Sequence, residues 1–258
     1  MTPIVDRMSI SVVMLRIMAA VIGAVGLAWG ILTLPTSWNE FPVNQIADSV
    51  VRGETFPLNI LETQIATARQ ESDAGYCKPA IAHSAAILQL AILNQSFDAS
   101  SSSVDEDLEK ARQSVISGLS CAPADSYLWF ALFQIESLQS GFRSEYVRHL
   151  AMSYRVGPNE AWIAIPRNRA AFAIFEALPG QLQSDVLDEF CLLLRTELYI
   201  EAVDIFLEPA AAHRQQVIDR LSKVPTRNRQ LFAVLLARKG YQFNIPGTST
   251  VVHGQPKN

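Results

Sequence analysis

An all-α fold is predicted for this 258-residue chain on three observations. Apolar residues recur at three- and four-residue spacing along most of its length. Strict alternation and two-residue hairpin turns are missing. Helix punctuation, with Ser, Asp or Asn at starts and Gly or Pro at stops, separates the periodic runs. The composition is that of a folded chain, 49% apolar and 18% charged with a net charge of −4. That balance argues against a disordered acidic chain and against nucleic acid as the main partner. Three cysteines with no Cys-x-x-Cys pair exclude the common zinc and redox signatures, so neither metal nor cofactor is expected.

The N-terminus predicts one membrane helix over residues 17–38. No ionisable side chain occurs from Ile17 to Asn39, and Ile17 to Leu34 is apolar almost throughout. Eighteen helical residues reach about 27 Å, close to the hydrocarbon thickness, and Met8 to Leu15 can extend the helix while Arg16 snorkels to the headgroups. Arg7 and Arg16 precede the span, and no Lys or Arg follows until Arg52. The positive-inside rule therefore puts residues 1–16 in the cytoplasm and the body outside. In a two-membrane bacterium the helix would sit in the inner membrane and the body in the periplasm. A cleaved signal peptide is the competing reading, but Ala28-Trp-Gly30 lies inside the apolar run and makes a poor cleavage site. Ala19 with Gly23, and Gly26 with Gly30, are small pairs four apart: either a dimer seam or the small residues of a lone span.

Pro35 to Pro42 reads as a juxtamembrane link, with Trp38 and Phe41 where interfacial aromatics sit. Residues 43–75 then read as two leading helices, Val43 to Arg52 and Pro57 to Gln70, the second with Leu58, Leu61, Ile65 and Ala68 at helical spacing. From Tyr76 a helix presents Ala80, Ile81, Ala85, Leu88, Ala91 and Ile92 before the link Ser96 to Ser103. Ser103-Val-Asp-Glu106 is a capping box, with three carboxylates in the first turn of a helix reaching Leu119. Pro123 to Trp129 opens another helix that closes on Gly141, and the next ends at Gly157-Pro158. Asn159 begins a further helix, in which Pro166 predicts a kink or break between Ile165 and Arg167. Pro179-Gly180 stops that run. Residues 181–240 carry four more helices, Ser184 to Arg195, Glu197 to Leu207, Ala210 to Leu221 and Thr226 to Lys239, and residues 241–258 are expected to be a loose tail.

Trp129 and Trp162 lie 33 residues apart, Pro123 and Pro158 lie 35 apart, and small residues precede each proline: Gly118 and Ala111 in one case, Ser153 in the other. This spacing resembles the tetratricopeptide repeat, with period about 34. Tyr146, where a small residue is expected, and the long link before Ser103 depart from its pattern. The resemblance covers residues 76–180 and implies stacked helical hairpins with a groove that holds a protein or peptide. The groove-lining positions it implies are the solvent-facing members of Tyr127, Phe130, Gln134, Asn168 and Arg169. It also places Cys77 at the start of one helix beside Cys121 at the end of its neighbour, where a disulfide would close in an oxidising compartment. The other reading is two small buried residues. Cys191, between Phe190 and Leu192, is expected to be a buried free thiol.

Arg143, Arg148, Arg155, Arg167 and Arg169 face only Glu145 and Glu160 within their stretch, which suits either an anionic partner or an ordinary solvated face. Trp129 and Trp162 read as core between paired helices. His83, His149, His213 and His253 stand singly, His83 as a partly buried structural residue. No nucleophile elbow, His-Glu-x-x-His or phosphate-cradling Gly loop is present, so the expectation is no enzyme. The expected function is a membrane-anchored periplasmic helical scaffold for protein–protein interaction in bacterial envelope assembly, accessory to a process such as polysaccharide export. The alternative is an envelope enzyme or glycan-binding protein with a pocket near Pro166.

Overall fold

The structure, a computed structural model, describes residues 4–72, 77–100, 102–158 and 160–248, with the backbone alone for 4–11, 33–40 and 72. The described residues are all-α, with eleven α-helices and four short 3-10 turns. Two compact units divide the chain, residues 1–107 and 108–258.

In the first unit α1 (Ile4–Val51) is a single helix of 48 residues, about 72 Å long. Its segment Val12–Leu32 is long and apolar enough to cross a membrane, and none of it is buried. The link expected at Pro35–Pro42 is instead helical, and Val43 to Arg52 is no separate helix. Each proline removes one backbone hydrogen bond, but the helix is held beyond them because Val43 and Ala47 are fully buried. Trp38 lies among the side chains outside the described set, and Phe41 is 67% exposed. α2 (Leu58–Ser72) buries Leu61, Ile65 and Ala68, while Leu58 faces solvent. α3 (Pro79–Asp98) packs on both α1 and α2. It therefore buries more than one face, and Ser84 and Gln89 go in with Ile81, Ile87, Leu88 and Ile92. Ser84 Oγ donates to Asn44 Oδ1 at 2.8 Å, and Gln95 Nε2 to the Phe56 carbonyl at 2.9 Å, fixing α3 along α1 and against the loop before α2. Lys78 Nζ reaches Glu71 Oε2 at 2.6 Å. α3 runs three residues into the predicted link, to Asp98, and Asp107 then accepts from the hydroxyls of Ser96 and Ser103.

α4 (Val104–Cys121) contains the boundary between units. In the second unit its Leu108, Ala111, Val115 and Leu119 are buried. α5 (Ser126–Ser140) starts where Asp125 accepts from the Leu128 amide at 3.0 Å, and ends at Gly141, whose φ of 73° suits glycine alone. α6 (Val147–Val156) returns antiparallel, since Ser153 near its end donates to the Ser126 carbonyl at the start of α5. α7 (Ala161–Ala173) and α8 (Gly180–Arg195) form the next antiparallel pair. Pro166 does not break α7. It sits in the second turn on the exposed side, where the carbonyl of Trp162, deprived of its helical donor, can face water.

α9 (Tyr199–Leu207), α10 (Arg214–Arg220) and α11 (Thr226–Arg238) complete the unit. Their core is aromatic: Phe206 meets Phe190 at 6.3 Å and Phe232 at 5.4 Å, and Phe190 meets Phe172 at 6.2 Å. The start of the predicted tail belongs to this core. Phe243 stands edge-on to Phe206 at 5.0 Å, Ile245 is buried, and Arg229 donates to the Pro246 carbonyl. Residues 249–258 lie outside the described set.

Candidate functional site

The crossing of α5, α6, α7 and α8 is built on one buried arginine. Arg167, with no exposed surface, uses all five of its N–H donors. Nε and Nη2 donate to Glu189 Oε1 at 3.0 and 2.6 Å. Nη1 donates to the carbonyl and hydroxyl of Ser153 at 2.8 and 2.9 Å, and Nη2 to the Gly157 carbonyl at 2.9 Å. The other carboxylate oxygen of Glu189 accepts from the Tyr154 hydroxyl at 2.6 Å and from Asn168 Nδ2 at 3.4 Å. The guanidinium lies 4.2 Å from the Tyr154 ring centre. A charge costs several kcal/mol to bury unless it is paired and fully hydrogen-bonded, and this one is both. Burial pushes the Glu189 carboxyl above its ordinary value, while Arg167, Tyr154 and Asn168 pull it back.

This knot fixes the surface above it. Ser153 lies against Ser126, and a Cβ on Gly157 would strike the side chains of Ser126 and Glu160, so the start of α5 and the end of α6 approach as closely as glycine allows. Tyr127, the next residue on α5, meets Trp162 of α7 with ring centres 4.9 Å apart. Burial and then the Asp125 carboxylate push the Tyr127 hydroxyl up to about 12. Trp162 is 42% exposed and begins a solvent-facing line, Trp162, Pro166, Arg169 and Ala173, at spacings of four, three and four. α7 carries no carboxylate, and Arg169 leans toward exposed Glu208 of the loop after α9 at 3.7 Å. The accessible groups are flat rings, a proline and a guanidinium, the chemistry of recognition by stacking and charge.

A second cluster joins α4, α5 and α6. Glu136 faces His149 Nε2 at 3.1 Å with one oxygen and Arg112 at 3.5 Å with the other. Trp129 stacks on the His149 ring at 5.7 Å and donates Nε1–H to the Pro123 carbonyl at 2.8 Å. Burial lowers the His149 pKa, Glu136 opposes that, and Arg148 and Arg112 add to the lowering. Among the described residues no three His, Cys, Asp or Glu side chains converge to hold a metal.

The residues expected to bind a partner therefore divide. Arg169 and Gln134 reach the surface, as do Arg143, Arg148 and Arg155, and Tyr127 is half-buried. Phe130, Asn168 and Arg167 do not: Phe130 fills the core, and Arg167 and Asn168 turn inward, where the Glu189 carboxylate and the carbonyls of Ser153, Gly157 and Val186 accept from them. Trp162 is not the core residue expected. Arg143 pairs with Glu145 at 3.6 Å. α7 is continuous through Pro166, without the break expected there. Cys77 and Cys121 are joined by a disulfide, and Cys191 is a buried free thiol that burial pushes up to about 11. The Arg167–Glu189 pair is not legible in the sequence because its members are 22 residues apart and charged residues read as solvent-facing; the Tyr-Arg-Asn-Glu set on apolar helices is the hint available.

No protein-family model, curated protein or solved structure matches the chain.

Proposed function

We propose that the protein is a single-span membrane-anchored helical scaffold whose exported body holds a partner protein or peptide. The observation that carries this reading is the α7 line Trp162–Pro166–Arg169 with Tyr127 beside it, an aromatic and cationic surface held rigid by the Arg167 knot. The disulfide suits an oxidising compartment such as the periplasm, and Val12–Leu32 suits an inner-membrane anchor with the N-terminus in the cytoplasm. Support for tetratricopeptide-like repeats comes from the antiparallel α5–α6 hairpin, in which Ser153 lies against Ser126 at the small-residue position of that pattern. A second copy is the partner we assign to the span itself, through Gly26 and Gly30, whose Cβ positions point into open space. The wider role is accessory to envelope assembly, of which polysaccharide export is the leading case.

Photo-crosslinking from position 162 in native membranes tests the scaffold reading. A discrete crosslinked partner, lost in the Arg169→Glu variant, is the expected result. Crosslinks indistinguishable from those of a position on the far side of the body would refute it.

A further inference from the structure

α11 carries an outward line that the scaffold reading leaves unused. Arg227, Leu231, Val234 and Arg238 follow one another at spacings of four, three and four, so they share one face of the helix. Phe232 and Leu236 occupy the opposite, buried face. Leu231 and Val234 are 39% and 38% exposed, and Tyr241, just past the helix, is exposed as well. The helix contains three arginines and no carboxylate. Arg229 is tied to Thr226 Oγ1 and the Pro246 carbonyl, and the following Lys239 pairs with Asp204 at 2.5 Å. Arg227 and Arg238 engage no hydrogen bond or ion pair among the described residues.

We propose that this face of α11 docks onto the surface of an anionic bilayer. Two aliphatic side chains with an arginine one turn beyond each end match the layered chemistry of a lipid interface: the aliphatic tips enter the acyl boundary, and the guanidinium groups reach the phosphates. A fluid surface moulds itself to a convex ridge, whereas a partner helix would meet only the two aliphatic side chains on it. The proposal rests on the reading that α1 crosses a membrane. A bilayer supplied in cis is present at high effective concentration, so a contact too weak to hold a free protein suffices for a tethered one.

The full chain carrying Val234→Cys, labelled there with a polarity-sensitive dye, provides the test. Cys191 is buried and the other two thiols are bridged, so labelling falls on the introduced site. The protein is reconstituted into phosphatidylcholine vesicles with or without phosphatidylglycerol. The expected result is a blue shift in the anionic vesicles alone, reversed by salt, with the docked state weakened about fivefold for each of Arg227→Gln and Arg238→Gln. Equal emission in both lipids, or a shift that survives both substitutions, would overturn the proposal. A shift seen in native membranes but not in pure lipid would overturn it in favour of a protein partner. Carbonate extraction of the same vesicles reads α1 separately. Release of the protein would overturn both readings, and retention with an unshifted dye would overturn α11 docking alone.

Discussion

Tyr154 and Glu189 share a hydrogen bond of 2.6 Å between α6 and α8, with Arg167 of α7 closing the other side of the same carboxylate. Three helices thus meet on one buried charge pair. Breaking a pair of this kind leaves an uncompensated buried ion and costs about 3–5 kcal/mol, whereas replacing both members with apolar groups is far less harmful. Glu189→Ala should lower the midpoint of urea unfolding sharply, and Arg167→Met combined with Glu189→Leu should recover much of the loss. Circular dichroism of the detergent-solubilised protein reads both.

His149 predicts an acid-side dependence. Its folded pKa lies below the ordinary 6.5, with burial as the largest cause. As the pH falls below 6.5 the unfolded chain takes the proton first. The stability contributed is therefore complete above 6.5 and is lost as the pH falls through the folded value. Unfolding measured from neutral pH downward should show that decline, and His149→Gln should flatten it in this window.

Gly157→Ala adds a methyl group where Ser126 and Glu160 already stand. Overpacking of this kind costs about 1–3 kcal/mol. Adding Ser126→Gly should return part of that by vacating the space, and additive losses in the double variant would show that the collision is not the cause. Thermal unfolding of the four variants of the cycle distinguishes these outcomes.

Thiol counting separates the cysteines. Protein prepared without reductant should show no reactive thiol when native at pH 8, one when denatured, and three when denatured and reduced, since Cys77 and Cys121 are bridged and Cys191 is buried. In the chain-entropy picture, Cys77→Ser should cost about 3–4 kcal/mol for a loop of this length.

Much of the second unit could be read from punctuation alone, because Asp125, Gly141, Gly157 and Gly240 mark ends that local chemistry enforces. The misreadings have a common origin in tertiary contact. Pro35 and Pro42 read as a break because nothing local reveals that Val43 and Ala47 are buried. Pro166 reads as one because exposure on the outer face of α7 is invisible without the fold. Phe243 reads as tail because Phe206, its support, lies far upstream. Of the candidate site, Tyr127 and Arg169 were legible, whereas Phe130, Asn168 and Arg167 carry the right chemistry but point the wrong way.

The continuity of α1 also has a mechanical meaning. A span joined to its body by a loose link lets the two turn independently, but here the helix that enters the apolar segment is the one on which α3 packs, with no swivel between them. Twisting the apolar half about its own axis therefore transmits torque directly into the three-helix unit. The apolar segment and the segment that carries α3 thus share one helix axis, an axle in place of a tether.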